Sequence, residues 1–177
     1  DLADRPTHFH VENMPKSNYL LIPETSSERR EHIPIGFMTP EVLCSNAVKL
    51  VPNATLYHFG ILTSLVHNAW MRVVCGRLKS DYRYSKDIVY NNLPWPSVSE
   101  QQRQKIEQTA QAILDAREKY SEASFADMYS HLILFPELLK AHRANDAAVM
   151  QAYGFDLKMS ENEVVAALFK LYQELTK

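Results

Sequence analysis

The chain has 177 residues, of which 46% are hydrophobic and 23% charged, with a formal net charge of -2; it is long enough to bury one core or two small ones, and its composition argues against disorder. No window approaches the roughly 18 apolar residues of a membrane-spanning helix, and Asp1-Leu-Ala-Asp-Arg-Pro6 lacks the basic and apolar regions of a secretion signal. A cytoplasmic protein without membrane contact is expected.

In chain order, Tyr19-Leu-Leu-Ile22 is a compact apolar run closed by Pro23, and Ile33-Pro-Ile-Gly-Phe37 is a second one, with Pro34 favouring a sheet edge. Partial alternation through Val42, Cys44, Val48 and Leu50 predicts a further strand. The period then changes: Phe59, Leu62, Val66, Ala69 and Val73 follow the spacing of one central helix, with Gly76 placed to end it. Asp87-Ile-Val-Tyr90 reads as a last short strand before Asn91-Asn-Leu-Pro-Trp-Pro96.

Beyond that punctuation the pattern is helical. Ser97 with Glu100 offers a capping box ahead of Ile106, Ala110, Ile113, Leu114 and Tyr120. Ser124 with Asp127 opens a short helix with Phe125, Met128 and Leu132. Pro136 suits the first position of a third helix, whose apolar side uses Leu139, His142, Val149 and Tyr153 before Gly154, and Ser160 with Glu163 opens a last one with Val164, Leu168, Tyr172 and Leu175. The fold class expected is α+β: a short-stranded, β-rich part over residues 1–98 with one central helix, followed by a small all-α segment over 99–177.

Charge is uneven along this plan. Residues 1–98 carry ten Lys/Arg against nine Asp/Glu, and residues 99–177 nine against twelve. Within 72–86, five basic side chains meet one acid, Asp81, beside Tyr82 and Tyr84, a local excess able to attract a polyanion.

Catalytic chemistry finds little support. With four glycines in all, Gly36, Gly60, Gly76 and Gly154, the chain cannot form a dinucleotide-binding fingerprint, and no nucleophile elbow or helical zinc-protease motif occurs. His8-Phe-His10 would set two imidazoles on one strand face, but surface or hydrogen-bonded histidines are the expected reading, and His58 and His67 read as packing residues. No metal site and no catalytic residue are assigned. Cys44 and Cys75 stand outside any Cys-x-x-Cys pair and are expected as buried, reduced thiols.

The loop Ser26-Ser-Glu-Arg-Arg-Glu31 is more informative. Arginine offers paired donors to guanine O6 and N7, glutamate can accept from cytosine N4, and serine reaches bases or phosphates. Ser27, Glu28, Arg29 and Arg30 are therefore candidates for base contacts, against the competing reading of a solvated loop whose charges pair among themselves. Arg72, Arg77, Lys79, Ser80, Tyr82, Arg83, Tyr84 and Lys86 are candidates for phosphate contacts, against a solvated basic face.

Several long stretches in one order carry a family resemblance: Tyr19-Leu-Leu-Ile-Pro23, Ser26-Ser-Glu-Arg-Arg-Glu-His-Ile-Pro-Ile-Gly-Phe37, His67-Asn-Ala-Trp-Met-Arg72, Gly76-Arg-Leu-Lys-Ser-Asp-Tyr-Arg-Tyr-Ser85, Ile88-Val-Tyr-Asn-Asn-Leu-Pro-Trp-Pro96 and Pro136-Glu-Leu-Leu-Lys-Ala-His142. The chain resembles the C-terminal part of MmeI-like DNA methyltransferases, some of them fused type IIG restriction-modification enzymes. The resemblance implies a target recognition domain over residues 1–98, a helical C-terminal domain over 99–177, and double-stranded DNA as partner. It also implies a parent protein of bacterial or archaeal cytoplasm that methylates adenine N6. The S-adenosylmethionine cofactor is expected in the parent's methyltransferase domain, since the family's cofactor glycine motif and its Asn-Pro-Pro-Tyr motif are absent from these residues. The competing class is a helical module that packs on the parent enzyme without reading DNA.

Overall fold

A computed structural model describes Asp4 and residues 13–132 and 135–177; His8 and His10 lie outside the described residues. Among the described residues, six short strands precede or interleave with two helices, and four further helices follow. This is the α+β architecture expected.

The apolar run that predicted a strand forms β1 (Tyr19–Pro23), with Tyr19, Leu20 and Ile22 fully buried. It is the centre of a three-stranded antiparallel sheet between β3 (Gly36–Met38) and β4 (Val48–Pro52), with Leu20 opposite both Phe37 and Val51. Both neighbours are shorter than the sequence suggested. Pro34 has no amide to give to a ladder, so Ile33 and Ile35 plug the core as a tight turn and pairing starts at Gly36. The alternation from Val42 likewise yields pairing only from Val48, while the Val42 carbonyl accepts from the Tyr19 hydroxyl at 2.7 Å.

The second sheet is small and antiparallel: β2 (Thr25–Ser26), β6 (Asp81–Arg83) and β5 (Gly76–Leu78), in that order. Lys79 and Ser80 close the β5–β6 hairpin, with Lys79 at φ 56°. The basic segment is thus largely a β-ribbon, an element not expected from the sequence. Gly76 opens that ribbon instead of capping a helix.

The central helix is two helices, α1 (Leu56–Thr63) and α2 (Leu65–Val74), broken at Ser64, whose backbone is extended. Ser64 Oγ donates to the Ile61 carbonyl at 2.7 Å and accepts from the His67 amide at 3.3 Å, so one hydroxyl closes the first helix and caps the second. The expected strand at 87–90 is instead a π-helical turn (Lys86–Tyr90), which offers the Val89 carbonyl to Trp70 Nε1 at 3.1 Å.

In the second half, α3 (Glu100–Glu118) is capped by Ser99 with Gln102, two residues beyond the box expected at Ser97. The boxes at Ser124 for α4 (Phe125–Met128) and Ser160 for α6 (Glu161–Leu175) form as read, as does the proline start of α5 (Pro136–Ala152). Leu132 falls outside α4 and is 79% exposed. Gly154 follows α5 at φ +72°, the left-handed conformation that favours glycine after a helix. α3 packs on α1 and α5, and α6 on α2, burying Ile106, Ala110 and Ile113 of α3 and Val164 and Leu168 of α6 but leaving Leu175 of the expected stripe exposed. One hydrophobic core joins Leu20, Ile22, Phe59 and Trp70 to Ile106, Ile113, Val149 and Leu168.

Candidate nucleic-acid interface

The second sheet brings together the two segments singled out in the sequence. Ser26 of β2 pairs with Tyr82 of β6, so the Ser27–Arg30 turn leaves the sheet beside the hairpin, and Glu28 Oε2 lies 3.8 Å from Arg77 Nη1. Side chains on adjacent strands alternate between faces. One face carries Ser26, Tyr82 and Arg77: the first two are buried, and the Arg77 guanidinium covers the Tyr82 ring at 4.0 Å while donating to the Ser80 carbonyl at 2.9 Å. The other carries Thr25, Arg83, Gly76, Leu78 and Asp81, all exposed except the half-buried Asp81, with Lys79 and Ser80 exposed at the tip. The basic excess is thus split between two faces.

Arg83 is oriented by a residue that carries no signal in the sequence. Glu24 accepts from Arg83 Nε at 3.0 Å and from Lys49 Nζ at 3.0 Å, and Lys49 and then Arg83 hold its carboxyl below the usual carboxylate range. The Arg83 side chain stays 58% exposed. No local pattern marks this trio, since Glu24, Lys49 and Arg83 meet only when β4 and β6 bracket the end of β1. Lys86, 70% exposed, sits 4.0 Å from Asp87.

Three residues expected at phosphates take other places. Tyr84 is 3% exposed, its hydroxyl 3.0 Å from His67 Nε2, and burial pushes its pKa up. Tyr82 lies beneath Arg77. Arg72 points into the protein: it pairs with Glu161 Oε2 at 2.9 Å and donates to the carbonyls of Arg30, at 3.3 Å, and of Glu31. Burial and engaged donors make these three supports of the surface. In the turn, Ser27 accepts the Arg29 and Arg30 amides, leaving Glu28 and Arg29 exposed and Arg30 half-buried. Arg29 lines a hollow with Glu31, His32, Tyr129, His131 and His142.

The histidines read as packing residues are structural. His58 Nδ1 accepts the Thr55 amide at the start of α1, and His67 is wholly buried. Desolvation lowers the His67 pKa to about 4. The fold therefore holds His67 neutral while the unfolded chain takes up a proton below about pH 6.5, so this contribution to stability is complete above that value and is lost as pH falls toward 4. At its fullest it is on the order of 3 kcal/mol. Denaturant midpoints measured from about pH 7 down to about pH 5 are expected to fall, and His67→Gln to flatten part of that slope; His142 and His58, also lowered by burial, contribute to the remainder. An unchanged slope in the variant would contradict this assignment.

Cys44 and Cys75 are unbridged and half-buried, less enclosed than expected. Among the described residues no three His, Cys, Asp or Glu side chains form a metal-binding group, and no helix is long and apolar enough to cross a membrane.

Two short-stranded sheets packed with a set of helices, with a basic ribbon in one of them, define the class: an α+β unit continuous with a helical segment. The chain belongs to the MmeI family, matching its target recognition domain over residues 1–97 and its C-terminal domain over residues 98–177. It is 36% identical over 176 residues to DNA methyltransferase A of Bacillus subtilis (strain 168), covering 99% of this chain and 20% of that protein. The type IIL restriction-modification enzyme MmeI, solved in complex with DNA, superposes with a TM-score of 0.93 at 47% identity, covering 99% of this chain and 23% of that one. The chain thus spans about a fifth of the length of these relatives.

Proposed function

We propose that the β5–β6 ribbon and the Ser27–Arg30 turn form the DNA-reading surface of a longer, S-adenosylmethionine-dependent DNA adenine-N6 methyltransferase. Residues 1–98 act as the recognition domain and 99–177 as its helical support, within the bacterial cytoplasm. The observation that carries this reading is the β2–β6 pairing, which sets the two separately suspected segments side by side, with Arg77 on one face of the ribbon, Arg83 on the other and Lys79 at its tip. An antiparallel two-stranded ribbon is one of the elements the major groove admits, and from there cations reach phosphates as well as base edges. The family match and the DNA-bound relative support it further. The apolar residues that suggested a docking module are in large part used inside the chain, Ile106, Ala110 and Ile113 of α3 and Val164 and Leu168 of α6 being buried, while Leu175 is exposed.

The residues present do not fit the cofactor. Gly36 meets Phe125, Gly60 meets α3 and α5, Gly76 begins a strand and Gly154 follows a helix, so none belongs to a glycine-rich turn that could pack against an adenosyl or methionine group. The chain's own part is to grip DNA and orient it. Arg83, expected from the sequence at a phosphate, is fixed at Nε by Glu24 and acts instead as a pre-oriented donor of the kind that reads guanine, and Glu28, Arg29, Arg30 and Lys79 complete the surface.

The test is selection by the full-length protein from a pool of duplexes with a randomised centre. Arg83→Ala is expected to relax one base position, a discrimination loss of about 1–3 kcal/mol. Unchanged selectivity together with unchanged affinity would remove the ribbon from the interface.

A further inference from the structure

We propose that Arg72, Glu161 and Asp146 are positioning residues for sequence recognition: the helices fix the shape of the Ser27–His32 segment, and with it the base preference, from behind and without touching DNA. This inference rests on the DNA-reading assignment of that turn.

Four consecutive residues at the end of the turn are anchored from the helical side. The Arg30 and Glu31 carbonyls accept from Arg72 Nη2 of α2, His32 Nε2 lies 3.0 Å from Asp146 Oδ2 of α5, and the Ile33 amide donates to Asn68 Oδ1 of α2 at 3.0 Å. Each anchor is itself held. Glu161, in the first turn of α6, fixes Arg72. Asp146 Oδ1 accepts the Leu65 amide at 2.7 Å, a donor at the start of α2 left without a helical partner by the break at Ser64. Asn68 Nδ2 donates to the Ser64 carbonyl at 2.7 Å. His32, Asn68 and Asp146 are buried, with exposures of 5%, 1% and 9%.

The outer half of the turn, by contrast, is held by the hydrogen bonds of Ser27 with the Arg29 and Arg30 amides. The placement of Glu28 and Arg29 therefore depends on where the anchored half sits. Base readout tolerates little displacement, so the anchors act on selectivity. A planar guanidinium can hold a carboxylate and two carbonyls at once, which an ammonium on the same stem cannot do in the same geometry.

The experiment measures base preference from the randomised duplex pool, salt dependence of binding and thermal unfolding, all on the full-length protein. Arg72→Lys and Asp146→Asn are expected to lose about tenfold in discrimination at the positions read by the turn, with the salt slope unchanged. Glu161→Gln, at a half-exposed and tolerant position, should show a smaller loss in the same positions. The decisive variant is the exchange Arg72→Glu with Glu161→Arg. It restores an ion pair between α2 and α6, and hence most of the unfolding temperature, but a carboxylate at position 72 cannot donate to the turn carbonyls, so preference stays relaxed. Restored preference in the exchange, or unchanged preference in Arg72→Lys and Asp146→Asn, would reduce these contacts to helix staples and overturn the inference. If Arg83→Ala relaxes selection while those variants do not, this inference alone fails; if neither set does, the DNA-reading assignment fails with it.

Discussion

A Gly60→Val variant of the 177-residue chain is expected to melt about 6–12 °C below the parent, a loss of about 3 kcal/mol. Gly60 lies inside α1, where glycine is normally unfavourable by about 1 kcal/mol against alanine. Its place is set by the neighbouring helices: a Cβ built there would stand 2.6 Å from Ile106 Cγ2, 3.1 Å from Asn145 Oδ1 and 3.3 Å from Ala110 Cβ. All three belong to α3 or α5. Ile106 is fully buried and β-branched, so its methyl cannot swing away at low cost. Asn145 is committed as well, donating to the Gly60 carbonyl at 2.8 Å and accepting from Thr109 Oγ1 at 3.1 Å. A larger residue at 60 must push α1 off α3, opening the core shared by the two parts and leaving a buried amide unpaired. Gly76→Ala is the control, since its nearest neighbours stand at 3.9 Å, and its effect should stay within about 1 kcal/mol. Equal melting of the Gly60 variant and the parent would mean that the helices have slack the geometry does not suggest.

Much of the helical half was legible because its punctuation is chemical. Ser124 with Asp127, Ser160 with Glu163, Pro136 and Gly154 each supply or remove a specific donor or allow a specific dihedral, and those elements begin or end as read. Where two punctuation marks compete, sequence alone could not choose. Ser97 with Glu100 and Ser99 with Gln102 are both valid boxes, and the chain uses the second.

The break at Ser64 was hidden for a different reason. Apolar spacing runs straight through it, because α1 and α2 bury Phe59, Leu62, Val66 and Ala69 in the same core. What breaks the helix is a side-chain hydroxyl that bonds backbone on both sides, together with an aspartate 81 residues away that takes the Leu65 amide. Neither interaction is local enough to show as a period.

The candidate surface was half legible. Residue type and density located Ser27–Arg30 and 72–86, and the family motifs named the setting, but period and charge could not tell which cations face outward. Arg72 and Arg83 look alike in the sequence. One follows a helix into carbonyls and Glu161; the other follows a strand to an exposed face. The strand pairing that separates them joins β2, two residues long, to β6 more than fifty residues on, too short a run to carry an alternation signal.

Replacing both Lys79 and Lys86 by alanine in the full-length protein is expected to flatten the dependence of log affinity on log salt by about 2 units, near 0.9 for each phosphate no longer neutralised. These two side chains are the most sensitive test because exposure and position separate them from the clamped cations. Lys79 occupies the hairpin tip, and Lys86 follows the ribbon with 70% of its side chain in solvent. Lys86 has Asp87 4.0 Å away, but both side chains are largely in solvent; Arg77 covers the Tyr82 ring and Arg83 bonds the more enclosed Glu24, so removing either also disturbs the surface that remains. Fluorescence anisotropy on a labelled duplex across a salt series reads the slope directly. Because the effect is electrostatic, the loss of affinity should be greatest at low salt and shrink as salt rises, whereas damage to the fold would weaken binding at every salt concentration and leave the slope alone. A slope equal to the parent's would place the ribbon away from the phosphates. A slope reduced by about one unit would leave only one of the two lysines at the backbone, and the single variants would show which.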